Sequence, residues 1–162
     1  MFKRLPSKKT LEEKYDKFNK EYFNNQLPYD TKIEWSTKMT KSAGLCIPRK
    51  KIIRISWHYA RRFPEDVENT LIHEMIHLKF PNHGPQFYAE VDRINAYGKM
   101  KVSRFSLGRA AEPKYYYICT KCGIQFGRDK RVNIARYACQ CNGKLELLPE
   151  NKKVAEEVRE ND

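Results

Sequence analysis

Apolar positions recur at helical spacing in three stretches of the chain and alternate at strand spacing between them. Leu11, Tyr15, Phe18 and Tyr22 fall on one face of a predicted helix. Thr10-Leu11-Glu12-Glu13 reads as its capping box, and Asn24-Asn25 followed by Pro28 ends it. Ile33 and Trp35 alternate with polar neighbours, the period of a half-buried strand. Residues 43–47 and 51–56 read as two further strands joined by a turn at Pro48-Arg49-Lys50. Pro64 suits the first turn of a second helix, with Glu65, Asp66 and Glu68 near its positive end. That helix runs to about Lys79, where Phe80-Pro81-Asn82 stops it. A third helix spans about residues 86–97, with Phe87, Val91 and Ile94 on one face and Gly98 as its stop.

Past Gly98 the pattern fades. Residues 99–113 are basic with little periodicity and read as a linker or crossing loop; a segment with four cysteines follows. Residues 149–162 are densely charged and predict a frayed helix or a disordered tail. The expected organisation is therefore a core domain over 1–98, a small module over 99–148 and a tail over 149–162. A length of 162 residues with 40% hydrophobic content accommodates a packed core plus a metal-stapled module. No apolar run approaches the roughly 18 residues of a membrane span. The charged start leads into no apolar signal segment, so an intracellular monomer away from membranes is expected.

Charge sharpens the division. The formal net charge is +12, of which residues 99–144 carry +9 and residues 145–162 carry −3. So basic a segment reads as an electrostatic footprint for nucleic acid.

The second predicted helix carries His73-Glu74-Met75-Ile76-His77. At about 100° per residue, His73 and His77 lie one turn apart on one face, the spacing at which two imidazoles bind one zinc. Glu74 projects beside them and can reach a water at the metal without being a ligand. A catalytic zinc needs a third protein ligand. His83, just past the Phe80-Pro81 break, is the candidate; His58 precedes the helix without ligand spacing and reads as a satisfied or surface histidine. The same spacing matches the metzincin pattern, which has glycine where this chain has Phe80.

Five cysteines with no signal segment argue against a disulfide framework. Cys119-Thr-Lys-Cys122 and Cys139-Gln-Cys141 are instead expected to form a closed, structural zinc site, with Gly123 and Gly143 in tight turns, as in a zinc ribbon. The single residue between Cys139 and Cys141 is tighter than usual. Tyr115-Tyr116-Tyr117 stands just before this module. Aromatics beside basic residues can stack single-stranded bases, although strand alternation sends Tyr116 to the opposite face from its neighbours. Arg128, Lys130, Arg131 and Arg136 are candidate phosphate contacts.

These motifs resemble the SprT-like metalloproteases. The likeness runs through Phe18-Asn19, Tyr22-Phe23, Trp35-Ser36-Thr37-Lys38-Met39-Thr40, Ala43-Gly44-Leu45-Cys46, residues 70–77, His83-Gly84-Pro85-Gln86-Phe87, Arg93-Ile94-Asn95 and Cys141-Asn142-Gly143. It implies an α+β fold: a zincin-like core of N-terminal helix, small β-sheet, HExxH helix and following helix, plus a zinc-ribbon-like β subdomain. It also implies a DNA-dependent zinc metalloendopeptidase that cleaves proteins bound or covalently crosslinked to DNA, in the nucleus or at a nucleoid. His73, His77 and His83 match that family's zinc ligands, Glu74 its catalytic glutamate, and Tyr116 and Tyr117 the aromatics of its DNA-contact subdomain. The partners implied are DNA with single-stranded character and DNA-bound proteins. Two other readings are a DNA-binding ribbon protein with an inactive protease-like domain, and a general zinc peptidase indifferent to DNA.

Overall fold

The computed structural model describes residues 5–149 and divides the chain into two compact units, one ending at Ala111 and the other beginning at Glu112. In the first unit, helix α1 (Lys8–Phe23) precedes strand β1 (Lys32–Ser36), strand β2 (Gly44–Ile47) and strand β3 (Ile52–Ser56). Three helices follow: the short α2 (Trp57–Arg62), α3 (Val67–His77) and α4 (Pro85–Asn95). The sheet order is β1-β3-β2, with β1 parallel and β2 antiparallel to the central β3. The fold is α+β, with the three strands in one run and three helices after them, as the resemblance implies.

The predicted apolar faces all enter one core. Leu11, Tyr15, Phe18 and Tyr22 of α1 pack with Ile33, Ile53 and Ile55 of the sheet, Leu71, Ile72, Met75 and Ile76 of α3, and Phe87, Val91 and Ile94 of α4. The α3 residues at 71, 72, 75 and 76 are fully buried, so that face is committed to the core and the opposite one is left for His73, Glu74 and His77.

Four local expectations change. Helix α1 begins earlier than the Thr10 box implies: Ser7 is the cap, its hydroxyl accepting the Thr10 amide at 3.0 Å. Residues 57–62, for which the pattern predicts no element, form α2, capped by the Ser56 hydroxyl on the Tyr59 amide. The second helix starts as a 3-10 turn over Pro64–Asp66 before α3 proper. Finally, residues 99–111 are no free linker and the first unit does not end at Gly98. Val102 is buried in the core, with its backbone bonded on both sides by the Asn95 amide, and the Ala111 amide donates to the Thr40 carbonyl. One anchor is a side chain on α4 and the other a backbone carbonyl far away in sequence, so no periodicity within 99–111 announces them.

The second unit is a three-stranded antiparallel sheet, β4 (Tyr115–Cys119), β5 (Gln125–Arg128) and β6 (Leu145–Leu147), ordered β5-β4-β6. Its buried side chains are few, Tyr117, Cys119 and Leu145 among them. The tail expected over 149–162 lies, past residue 149, outside the described residues.

Candidate metal centres

In the first unit, α3 runs along the floor of a cleft of about 430 Å³. One wall is the edge strand β2 with its approach, residues 42–46; another is the segment 103–106. His73, Glu74, His77 and His83 all line it. The chain returns to α3 because the helix ends at His77 and the Phe80-Pro81 break sends it back, so that His83 stands just ahead of α4. Nε2 of His83 lies 3.1 Å from Nε2 of His73 and 3.0 Å from Nε2 of His77.

The far side of each α3 imidazole is fixed. Nδ1 of His73 is 3.2 Å from the Ser103 carbonyl, and Nδ1 of His77 is 3.0 Å from the Phe80 carbonyl. A carbonyl only accepts, so each Nδ1 carries the proton and each Nε2 presents a lone pair to the cluster. Two lone pairs aimed at a third ring nitrogen form a set that a single cation satisfies. At the zinc–nitrogen distance of about 2 Å, a tetrahedral pair of nitrogens is about 3.3 Å apart, close to the spacing here. Burial also favours the neutral, ligating form: it pushes the His73 pKa down to about 4, against the pull of the Ser103 carbonyl, and lowers that of His77. The Phe87 ring packs against all three imidazoles, 4.5–4.9 Å between centroids.

Glu74 is buried beside this cluster and is not one of the converging groups. Burial pushes its carboxyl up to about 8, with the Cys46 backbone amide pulling the other way. Strand β2 presses on it closely: a Cβ on Gly44 would lie 2.6 Å from Oε1. His58, by contrast, is outside the cluster, its Nε2 paired with the Thr37 carbonyl at 2.8 Å.

In the second unit the sulfurs of Cys119, Cys122, Cys139 and Cys141 lie within 4.8 Å of one another. The pairs Cys119–Cys141 and Cys122–Cys139 stand at 3.5 and 3.6 Å, near the roughly 3.8 Å edge of a tetrahedral zinc–thiolate set. All four are free thiols. The amides of Cys122 and Lys121 aim at Cys119 and bring its thiol down to about 6, while Cys122, against the pull of the Ile124 amide, is pushed up to about 12 by its contacts with Cys141 and Cys119. The tight Cys139-Gln-Cys141 spacing works through a turn: the Asn142 amide donates to the Cys139 carbonyl at 2.8 Å, with Asn142 left-handed at φ 60°. Gly143 follows because a Cβ there would fall on the Cys119 sulfur.

The candidate DNA residues separate. Arg128, Lys130, Arg131 and Arg136 are exposed. Tyr116 is half-buried, its hydroxyl donating to the Glu112 carboxylate. Tyr117 is 1% exposed, stacked on Phe126, with its hydroxyl accepting the Val132 amide. A base cannot stack on a ring whose faces are covered, so Tyr117 is a core residue. Tyr137, which the sequence reading did not single out, is 64% exposed next to Arg136. Phe87, Gly44 and the carbonyls of Ser103 and Phe80 were also missed as site elements. Phe87 was legible only as a helix-face apolar residue, and a backbone carbonyl leaves no sequence signal.

A family model described as the SprT-like family matches residues 11–106, more than half of the chain. The chain belongs to the SprT-like family and carries a metalloprotease-like domain. It is 27% identical to "Protein SprT-like" of Oceanobacillus iheyensis over 153 residues, covering 90% of this chain and 99% of that one. It is 33% identical to the human "DNA-dependent metalloprotease SPRTN" over 100 residues, 53% of this chain and 20% of that protein. The human germ cell nuclear acidic protein is 28% identical over 86% of this chain, which spans 23% of it. Among solved structures, the zymogen of the Pyrococcus abyssi metallopeptidase abylysin aligns with a TM-score of 0.43 at 21% identity, covering 52% of this chain and 78% of that one. No helix among the described residues is long and apolar enough to cross a membrane.

Proposed function

We propose that this chain is a zinc metalloendopeptidase that cuts proteins bound or covalently crosslinked to DNA. The observation that carries the catalytic half is the convergence of three imidazoles, with Nε2 of His83 3.1 Å from Nε2 of His73 and 3.0 Å from Nε2 of His77, beside the buried carboxylate of Glu74. His73, His77 and His83 would hold the zinc, which when bound supplies Lewis acidity to the scissile carbonyl and to water. Glu74 is the general base. It accepts a proton from the attacking water at a carboxylate oxygen and hands it to the departing amine nitrogen. A burial-raised pKa suits a group that must both take and release a proton near neutrality. The neighbouring groups set its position: the Cys46 amide holds the carboxylate and the Gly44 backbone leaves it no room to swing toward β2.

The DNA half rests on the basic second unit. Its four thiolates would hold a structural zinc, since so few buried side chains cannot stabilise a unit this small by burial alone. Arg128, Lys130, Arg131 and Arg136 would meet phosphates while Tyr116 and Tyr137 offer ring faces to single-stranded bases. The similarity to the human DNA-dependent metalloprotease SPRTN supports this reading.

One assay tests both halves: cleavage of a basic DNA-binding protein by wild type and Glu74→Gln, with and without single-stranded DNA. The expected result is DNA-stimulated cleavage that falls by about 10²-fold or more in the variant. Undiminished activity in Glu74→Gln rejects the base assignment. Equal turnover with and without DNA rejects the DNA dependence and leaves a general peptidase.

A further inference from the structure

Residues 102–111 run along the cleft as a strap tied to the first unit at both ends. At one end the Asn95 side chain brackets Val102, accepting its N–H at 2.6 Å and donating to its carbonyl at 3.0 Å. At the other, Arg62 donates to the Arg109 carbonyl at 2.8 Å, the Ala111 amide donates to the Thr40 carbonyl at 2.9 Å, and Ala110 is buried with Ala43, Tyr59 and Phe63. Between the ends the strap is open to solvent, with Phe105 76% exposed. Within this open stretch the Ser103 carbonyl meets Nδ1 of His73.

The open stretch has a tie to a buried group. The Leu107 amide donates to the Tyr59 hydroxyl at 2.9 Å. That hydroxyl in turn donates to Oδ2 of Asp66 at 2.5 Å, and Oδ1 of Asp66 accepts from the Asn69 side-chain amide at 3.1 Å. Asn69 and His73 stand four residues apart on α3, one helical turn. The bonds therefore close a ring: from α3 through Asn69, Asp66 and Tyr59 to the strap, and back through Ser103 to His73. Tyr59 is 0% exposed and its ring fills the small core with Phe63. A phenylalanine would fill that space equally. A hydroxyl in such a place costs free energy unless it is paired, and here both its donor and its acceptor capacity are used.

We infer that Tyr59 is a positioning residue for the histidine metal site: by pinning the Leu107 amide it keeps the Ser103 carbonyl on Nδ1 of His73, so that Nε2 stays aimed at the cluster. The inference rests on the zinc reading of His73, His77 and His83 given above. Outer partners that orient a ligating imidazole are typically worth about 10- to 100-fold in metal affinity. Tyr59 acts one step further out, through a backbone segment rather than by touching the ring.

The test is cobalt(II) and zinc binding by the full chain, which needs no proteolysis. Cobalt at a thiolate site absorbs through sulfur charge transfer and cobalt at an all-histidine site does not, so the two centres are read in one sample. Wild type is expected to fill both, and His73→Ala to lose the histidine site alone. Tyr59→Phe is expected to weaken the histidine site about tenfold with the cysteine site unchanged. Leu107→Pro removes the same amide donor from an exposed position without touching the core, and is expected to give a like loss. A conservative core change away from the strap, Ile53→Val, serves as the stability control and should leave cobalt affinity unchanged. Wild-type affinity at the histidine site in both Tyr59→Phe and Leu107→Pro would overturn the inference, as would an equal loss in Ile53→Val. If wild type fills only the cysteine site, the zinc reading itself fails and the inference falls with it.

Discussion

The backbone of Gly44 lies against the side chain of Glu74: a Cβ at position 44 would stand 2.6 Å from Oε1 and 2.7 Å from Cγ. Strand β2 and helix α3 thus meet at a point where no other residue type fits without displacing the carboxylate. Gly44→Ala is expected to push Glu74 out of line and to lower kcat/KM by about 10- to 100-fold, since small misplacements of a reacting group cost rate steeply. Histidine-site metal content should be unchanged, because none of the three imidazoles is touched. Steady-state kinetics beside a metal count checks both; a variant with wild-type activity would mean that Glu74 has room to adapt.

Chelation should act differently on the two units. The first unit has a wide apolar core, with Leu71, Ile72, Met75 and Ile76 fully buried, and is expected to keep its helical circular dichroism when stripped of metal. The second has little to hold it beyond the cysteine cluster and is expected to lose amide dispersion in NMR spectra. Added zinc should restore both dispersion and proteolysis.

Cys139→Ser tests the narrower of the two cysteine pairs. Its sulfur stands 3.6 Å from that of Cys122, as close as the corresponding distance in a symmetric set requires. Loss of one zinc equivalent, with unfolding confined to residues 112–149, is expected. Retention of two zinc ions per chain would remove Cys139 from the ligand set.

Tyr117 and Tyr137 should separate stability from binding. Tyr117→Ala removes a ring that is 1% exposed and is expected to destabilise the second unit by about 3 kcal/mol or more, as large aromatic truncations do. Tyr137→Ala removes a ring that is 64% exposed, so stability should hold while single-stranded DNA affinity falls by about 1–3 kcal/mol. Thermal melts and fluorescence anisotropy of a labelled oligonucleotide distinguish the two.

Arg131→Ala and Arg136→Ala should weaken DNA binding in a salt-dependent way. Each lost phosphate contact lowers the slope of log K against log salt by about 0.7 for a single strand. A double variant with the wild-type slope would show that these exposed side chains do not meet phosphate.

Much of the site was legible because helical geometry is local. His73 and His77 share a face by spacing alone, and the Phe80-Pro81 break announces the return that brings in His83. The cysteine cluster was legible by residue type, although the turn that lets Cys139 join it depends on a left-handed Asn142 and on the bare Cα of Gly143. Tyr117 misled because strand alternation says which residues share a face but not which face is covered. The strap over 102–111 was invisible for a related reason. Its anchors are the nearby Asn95 side chain, the distant Tyr59 and Arg62 side chains and the Thr40 carbonyl 71 positions from Ala111, and a segment held by groups outside itself has no period of its own.

The sequence by itself determined the family, the helices that form the core, the three histidines with Glu74 beside them, and the basic cysteine module. These follow from spacing and residue type, which act over a few residues. Only the tertiary structure decided which backbone carbonyls fix the imidazole protons, that β2 closes on Glu74 at Gly44, and that the strap belongs to the first unit. Those relations join residues brought together by packing the core, and packing is set by the chain as a whole rather than by any short stretch of it.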